Sequence, residues 1–167
     1  MNFNKIKKCF LDKKYLHIEN AIDLESFKLN FNFDLMFKML SMNNYLKVQG
    51  KKTYHIYQGI SMIGQIFEVN KINIFKDYLN YIDKNLGDTF KIGNLDFFYS
   101  LKGEVGSAHV DSECVIILGI KNVTYYHIDN IDLKIKPGDV LCISKDILHH
   151  SFSSRERIVL SLSLWKK

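Results

Sequence analysis

Residues 95–165 read LDFFYSLKGEVGSAHVDSECVIILGIKNVTYYHIDNIDLKIKPGDVLCISKDILHHSFSSRERIVLSLSLW. Seven short apolar segments recur here at roughly 8–12-residue spacing: LDFFYS, AHVDSECVIIL, VTYYHID, IDLKI, DVLCIS, ILHHSF and RIVLSLSLW. Between them lie KGEVG, GIKN, DN, KPGD and SSRE, the small and polar residues that reverse a chain. Many short strands separated by tight turns make a β-sandwich or barrel.

Upstream the texture changes. Ile72, Phe75, Leu79, Ile82 and Leu86 recur every three or four residues before Gly87, so the pattern predicts a helix over Lys71–Leu86. A second helix is expected within Asp23–Met42, with Leu35, Phe37 and Leu40 on its apolar side. YLKVQG and KTYHIYQG between them look like strands. With no repeat, low-complexity tract or linker, residues 1–167 are expected to form one domain. Its first part, 1–94, mixes helix and strand, and 95–167 form the barrel.

Composition limits the alternatives. A chain of 167 residues that is 47% hydrophobic and 25% charged is globular, and long enough to bury a core unaided. No apolar run approaches the ~20 residues needed to span a bilayer. The basic N-terminus lacks the apolar stretch of a secretory signal, so a cytoplasmic, non-membrane protein is expected. Cys9, Cys114 and Cys142 are odd in number and show no CxxC spacing, which argues against a disulfide framework and a thiolate zinc site. The net charge of +5 resides in residues 1–60, which hold ten Lys against five acidic residues. It is dispersed as on a solvated face, not gathered into a phosphate-binding stripe. Of 23 basic residues only Arg155 and Arg157 are arginine, the residue suited to bidentate carboxylate binding.

Among six histidines, His109 opens His109-Val110-Asp111. On a strand, residues two apart share a face, so imidazole and carboxylate would converge. A further histidine from ILHH, His149 or His150, would complete a two-His-one-carboxylate face that leaves positions open on a metal. The HxD pattern occurs again at His127-Ile128-Asp129. The first copy is preferred because it follows the glycine turn Gly103–Gly106. The second copy also appears separated from His149 by too few strands for the chain to circle a barrel and return beside it. His150, next to the ligand position, is expected to face away. His17 and His55 read as surface or satisfied core histidines.

The stretch Gly103–Gly119 resembles the first cupin motif, in which glycine, five residues and histidine open the metal-binding strand. Gly138–Ser153 resembles the second, with Ser144 where that motif has proline and Asp146 where it has glycine; its register selects His149 over His150. Cupins often carry HxH and a downstream Glu, but here Asp111 takes the second place and Val115 or Ile116 the Glu position. In that respect the chain resembles the cupin-like, JmjC-like Fe(II)/2-oxoglutarate-dependent oxygenases over residues 95–165. The resemblance implies a double-stranded β-helix, mostly β with N-terminal helices. It further implies Fe(II) on His109, Asp111 and His149, with 2-oxoglutarate and O2 as co-substrates in hydroxylation or demethylation. For the far carboxylate of 2-oxoglutarate it suggests Arg157, which opens RIVLSLSLW, then Lys121, which reaches the JmjC lysine position only across a shortened turn, then Arg155. Ungapped, that lysine position holds Thr124, and Thr124, Ser107, Tyr99 and Tyr126 are the candidate hydroxyl partners of the far carboxylate. The primary substrate is open among protein, nucleic acid and small molecule. A metal-dependent cupin not using 2-oxoglutarate and a non-catalytic binding barrel are the alternatives.

Overall fold

The computed structural model describes residues 1–29, 46–49, 61–66, 75–100, 104–105 and 107–167. Among these are helices α1 (Phe3–Leu11) and α2 (Lys76–Leu86) and eleven strands. The strands are β1 (Tyr15–Ile18), β2 (Leu46–Gln49), β3 (Ser61–Ile66), β4 (Phe90–Ser100), β5 (Glu104–Val105), β6 (Cys114–Lys121), β7 (Thr124–Ile128), β8 (Ile131–Ile135), β9 (Val140–Ile143), β10 (His149–Ser153) and β11 (Arg157–Lys166). They form a seven-stranded sheet in the order β1-β9-β6-β11-β4-β3-β2 and a four-stranded sheet in the order β5-β10-β7-β8, with every pairing antiparallel.

Strand alternation divides the core in two. Even-numbered positions of β6 and β11 (Ile116, Leu118, Leu160, Leu162, Leu164) face α1 and α2, meeting Ile6, Phe10, Leu79, Ile82 and Leu86. Odd-numbered Val115, Ile117 and Val159, with Leu141 and Ile143 of β9, face the small sheet and meet Tyr126, Ile128 and Ile135 there. Burial on both sides explains why VIIL in β6 reads as a continuous apolar run. Each buried aliphatic side chain contributes about 1.5–3 kcal/mol. The three cysteines are buried and free, with Cys9 pushed up to about 12 chiefly by burial. They behave as small core hydrophobes.

β1, β2 and β3 extend the large sheet, so residues 1–94 mix helix and strand as expected, with β2 inside YLKVQG. Other expectations need correction. Asp23–Leu29 forms a turn: the Asp23 carboxylate accepts from Glu25 N–H and Ser26 Oγ–H, and Lys28 takes φ +55, which a right-handed helix cannot continue. Residues 30–42 of that expected helix, and KTYHIYQG, lie outside the described residues. The helix expected from Lys71 is described from Lys76, with Phe75 at its N-cap. β4 begins at Phe90, five residues before LDFFYS, and a register shift opposite Leu162–Leu164 accommodates its added length. β6 starts only at Cys114, so His109 and Asp111 are not on a continuous strand.

Among the described residues no helix is long and apolar enough to cross a membrane.

Candidate metal centre

His109 sits in an isolated bridge with His149, each N–H donating to the other's carbonyl at 3.0 Å. A hydrogen-bonded antiparallel pair sets two side chains beside each other on one face, and the ring centres are 4.5 Å apart. The chain then turns. Asp111 is brought back by its carbonyl, which accepts from Asp146 N–H at 2.9 Å. Asp146 takes φ +66, the left-handed conformation that glycine would adopt most easily at this cupin-motif position. Ser144, at the motif's proline, uses groups a proline lacks: its N–H donates to Lys14 O and its hydroxyl to Phe10 O, both at 3.1 Å. Through Ser144 the end of β9 is fastened to α1 and to the turn that follows it.

One ligand atom each from His109, Asp111 and His149 lies within 4.8 Å of the others. The Nδ1 atoms of His109 and His149 donate to the carbonyls of Ser107 (2.8 Å) and Ile147 (2.9 Å), two residues upstream in each case. Carbonyls only accept, so Nδ1 is the donor in both rings and Nε2 is the nitrogen left to face the cluster. Those Nε2 atoms face the Asp111 carboxylate, His109 at 3.8 Å from Oδ1 and His149 at 3.5 Å from Oδ2. A single ion between these atoms would accept a donor from each of the three residues. The spacing is slightly wider than the ~3 Å between adjacent donors on an octahedral ion with ~2.1 Å bonds. His149 is buried, and burial holds its pKa below the ordinary value, against the hydrogen bond to Ile147 and the charge of Asp111. His109 is exposed. The three donors therefore span from the barrel interior to its mouth.

A cavity of about 120 Å³ adjoins the cluster, lined on the small-sheet side by Tyr126, His149 and Ser151 and on the large-sheet side by Phe98, Val115 and Ile117. Arg157, 4% exposed, is packed behind the lining residue Ser151. Its Nη2 donates to Ser151 Oγ at 3.1 Å, whereas Nε and Nη1 are buried without a hydrogen-bond partner. The hydroxyl of Thr124, 0% exposed, is likewise buried and unpartnered. Burial pushes the Tyr126 phenol up to about 12 even though the Arg157 charge opposes the shift, so the phenol keeps its proton. A buried guanidinium with two idle donors is unfavourable, and a carboxylate is the group that would satisfy it.

The other candidates lie apart from this cavity. Lys121 Nζ pairs with Glu156 Oε1 at 3.1 Å. Arg155 is exposed in the turn before β11. Ser107 is exposed and meets the site through its carbonyl; the side chain of Tyr99 is outside the described residues. His17 bonds Asp139, and His55 is outside the described residues. Contrary to the strand-count expectation, β7 pairs directly with β10, and Ile128 stands opposite His149. His127 is nevertheless directed away from the cavity, because it pairs with outward-facing His150. Ser151, Asp96 and Glu113 also line the cavity and were not foreseen. Ser151 was recoverable from alternation, as His149, Ser151 and Ser153 share one face of β10.

No protein-family model matches the sequence, and no curated protein does. Solved structures do match. The Escherichia coli ribosomal oxygenase YcfD, in complex with cobalt and 2-oxoglutarate, superposes at TM-score 0.72 with 16% identity over 99% of this chain and 52% of its own. Another structure of E. coli YcfD gives TM-score 0.74 at 14% identity. A Pseudomonas putida prolyl-4-hydroxylase gives 0.68 at 11% identity, covering 99% of both chains. The chain thus spans about half the length of the E. coli structures. At such identities the likeness is one of fold: the chain has the double-stranded β-helix fold of these structures.

Proposed function

We propose that this protein is an Fe(II)- and 2-oxoglutarate-dependent oxygenase acting as a hydroxylase. The observation that carries the reading is a His-Asp-His donor set on one small cavity together with a buried arginine, bonded to Ser151 of the cavity wall, whose Nε and Nη1 find no partner among the described residues. The donor set fits a divalent first-row ion, and the arginine fits the far carboxylate of a dicarboxylic keto acid. His109, Asp111 and His149 would hold the metal. Arg157 would pair with the carboxylate, with Thr124 and Ser151 donating hydroxyl hydrogens beside it and Tyr126, protonated, at the cavity wall. When bound, Fe(II) with 2-oxoglutarate and O2 supplies the oxidative decarboxylation that is coupled to hydroxylation of a C–H bond.

The chain's own part is binding, orientation and exclusion of water. The Nδ1–H bonds to backbone carbonyls fix both imidazoles with Nε2 directed inward. Phe98, Val115 and Ile117 keep the cavity wall apolar, which strengthens the arginine–carboxylate attraction. The exposed His109 side leaves the centre open toward a substrate.

The test is calorimetric titration of 2-oxoglutarate into Mn(II)-loaded protein, alongside succinate formation with Fe(II) and O2. One equivalent should bind, and Arg157→Ala and Asp111→Ala should each weaken that binding at least tenfold. A metal-loaded protein that neither binds 2-oxoglutarate nor forms succinate would overturn the proposal.

A further inference from the structure

The alternation that sends His149 inward sends its neighbour His150 outward. On the outer face of the small sheet His150 stands opposite His127 of β7, and His127 stands opposite Asp132 of β8. Three chemically capable side chains therefore lie in one row across three adjacent strands, on the reverse side of the sheet from the cavity. The second HxD segment of the sequence has its histidine here, but the acid that histidine meets is Asp132, not Asp129. His127 Nδ1 lies 2.7 Å from Asp132 Oδ1. A carboxylate that accepts a hydrogen bond from Nδ1–H leaves the lone pair on Nε2 and raises its basicity, the device that commonly orients histidine ligands.

The two rings stand side by side, centres 5.0 Å apart and planes at 30°. Two imidazoles on one tetrahedral ion, with metal–nitrogen bonds of ~2.0–2.1 Å and ring centres ~1.1 Å beyond, have centres about 5 Å apart. The His109–His149 pair has a similar spacing, 4.5 Å. Phe152 lies against the far side of His150, with centres 6.1 Å apart, and limits the freedom of that ring. The His127 side chain is 38% exposed and that of Asp132 57%, so an ion can reach the row from solvent.

We propose that His127 and His150 form a second metal site, independent of the cavity, that takes a divalent transition ion of the zinc, copper or nickel class. Asp132 orients His127 and offsets the charge, and water completes the coordination. Nitrogen donors select this class over magnesium and calcium, which require oxygen. Two protein ligands make the site weaker than the three-donor cluster.

The experiment is titration of Zn(II) into the full chain by calorimetry, with the imidazole resonances followed by NMR. Wild-type protein should take up two equivalents, the weaker one shifting the signals of His127 and His150 together. The double variant His109→Ala/Asp111→Ala should keep one equivalent, and adding His127→Ala should remove it. Asp132→Ala should weaken the second equivalent about tenfold. An unchanged melting temperature of His127→Ala separates lost ligation from misfolding. A second equivalent that survives His127→Ala, or that shifts other histidines, marks an adventitious ion only and overturns the proposal. Uptake of one equivalent by wild type and none by His109→Ala/Asp111→Ala also overturns it and leaves the cavity reading intact. Loss of an equivalent in His127→Ala but not in His109→Ala/Asp111→Ala would sustain it and count against the cavity centre.

Discussion

Arg157 has opposing effects on stability and on binding. Its guanidinium is buried with only one of its three nitrogens hydrogen-bonded, to Ser151. Replacing a poorly satisfied buried charge by an apolar side chain of similar length is commonly neutral or stabilising. Arg157→Met should therefore leave the ligand-free protein as stable or about 1 kcal/mol more stable in urea unfolding, while 2-oxoglutarate affinity falls at least tenfold. A large loss of stability would mean that the arginine is structural. Asp111 has the complementary role. Its carboxylate faces the Nε2 atoms of two imidazoles, so a divalent ion should bind the folded state far better than the unfolded chain. Mn(II) at a hundred times its dissociation constant should stabilise the wild type by about 2.7 kcal/mol. In Asp111→Ala that increment should vanish, as read by thermal melting with and without the ion.

The turn that joins β8 to β9 is built around Asp139, which is 1% exposed. Its carboxylate accepts from Asn20 N–H at 2.9 Å, Lys136 N–H at 3.0 Å and His17 Nε2 at 3.2 Å. Burial alone would raise its pKa, but these hydrogen bonds outweigh burial and hold it below the ordinary value. A depressed carboxylate stabilises the fold fully above the unfolded value near 3.9, and that stability is lost as pH falls through the lower folded value. Asp139→Asn should cost about 2 kcal/mol at neutral pH and flatten the acid limb of a stability–pH curve. Gly119 of β6 lies against the same turn: a Cβ there would come within 2.2 Å of the Lys136 carbonyl. Gly119→Ala should destabilise by about 1–3 kcal/mol, measured by chemical denaturation.

At the scale of the whole molecule, the donors come from distant parts of the chain and meet where the two sheets face each other. His149 is held within a strand, but residues 107–113 are held by the His109 bridge and the Asp111–Asp146 hydrogen bond. A metal bound to both would clip this segment to the barrel. Chelation should therefore increase amide exchange in residues 107–113 by at least about tenfold, while the protection of β6 and β11 stays unchanged. Equal exchange in both states would argue against a metal cross-link.

Alternation of apolar and polar residues, turn residues and the spacing of HxD from the distal histidine already determined the barrel and its candidate ligands, because these are local properties of the chain. The strand periodicity used to pair His109 with Asp111 was the wrong cause for a correct juxtaposition: a single bridge and a turn bring them together. Tertiary structure alone decided that Arg157 is buried against Ser151 while Lys121 pairs with Glu156. It alone placed His127 against β10, and β1, β2 and β3 in the large sheet. Burial, strand order and the partner of a charge depend on segments far apart in sequence, and no local pattern encodes which of them will meet.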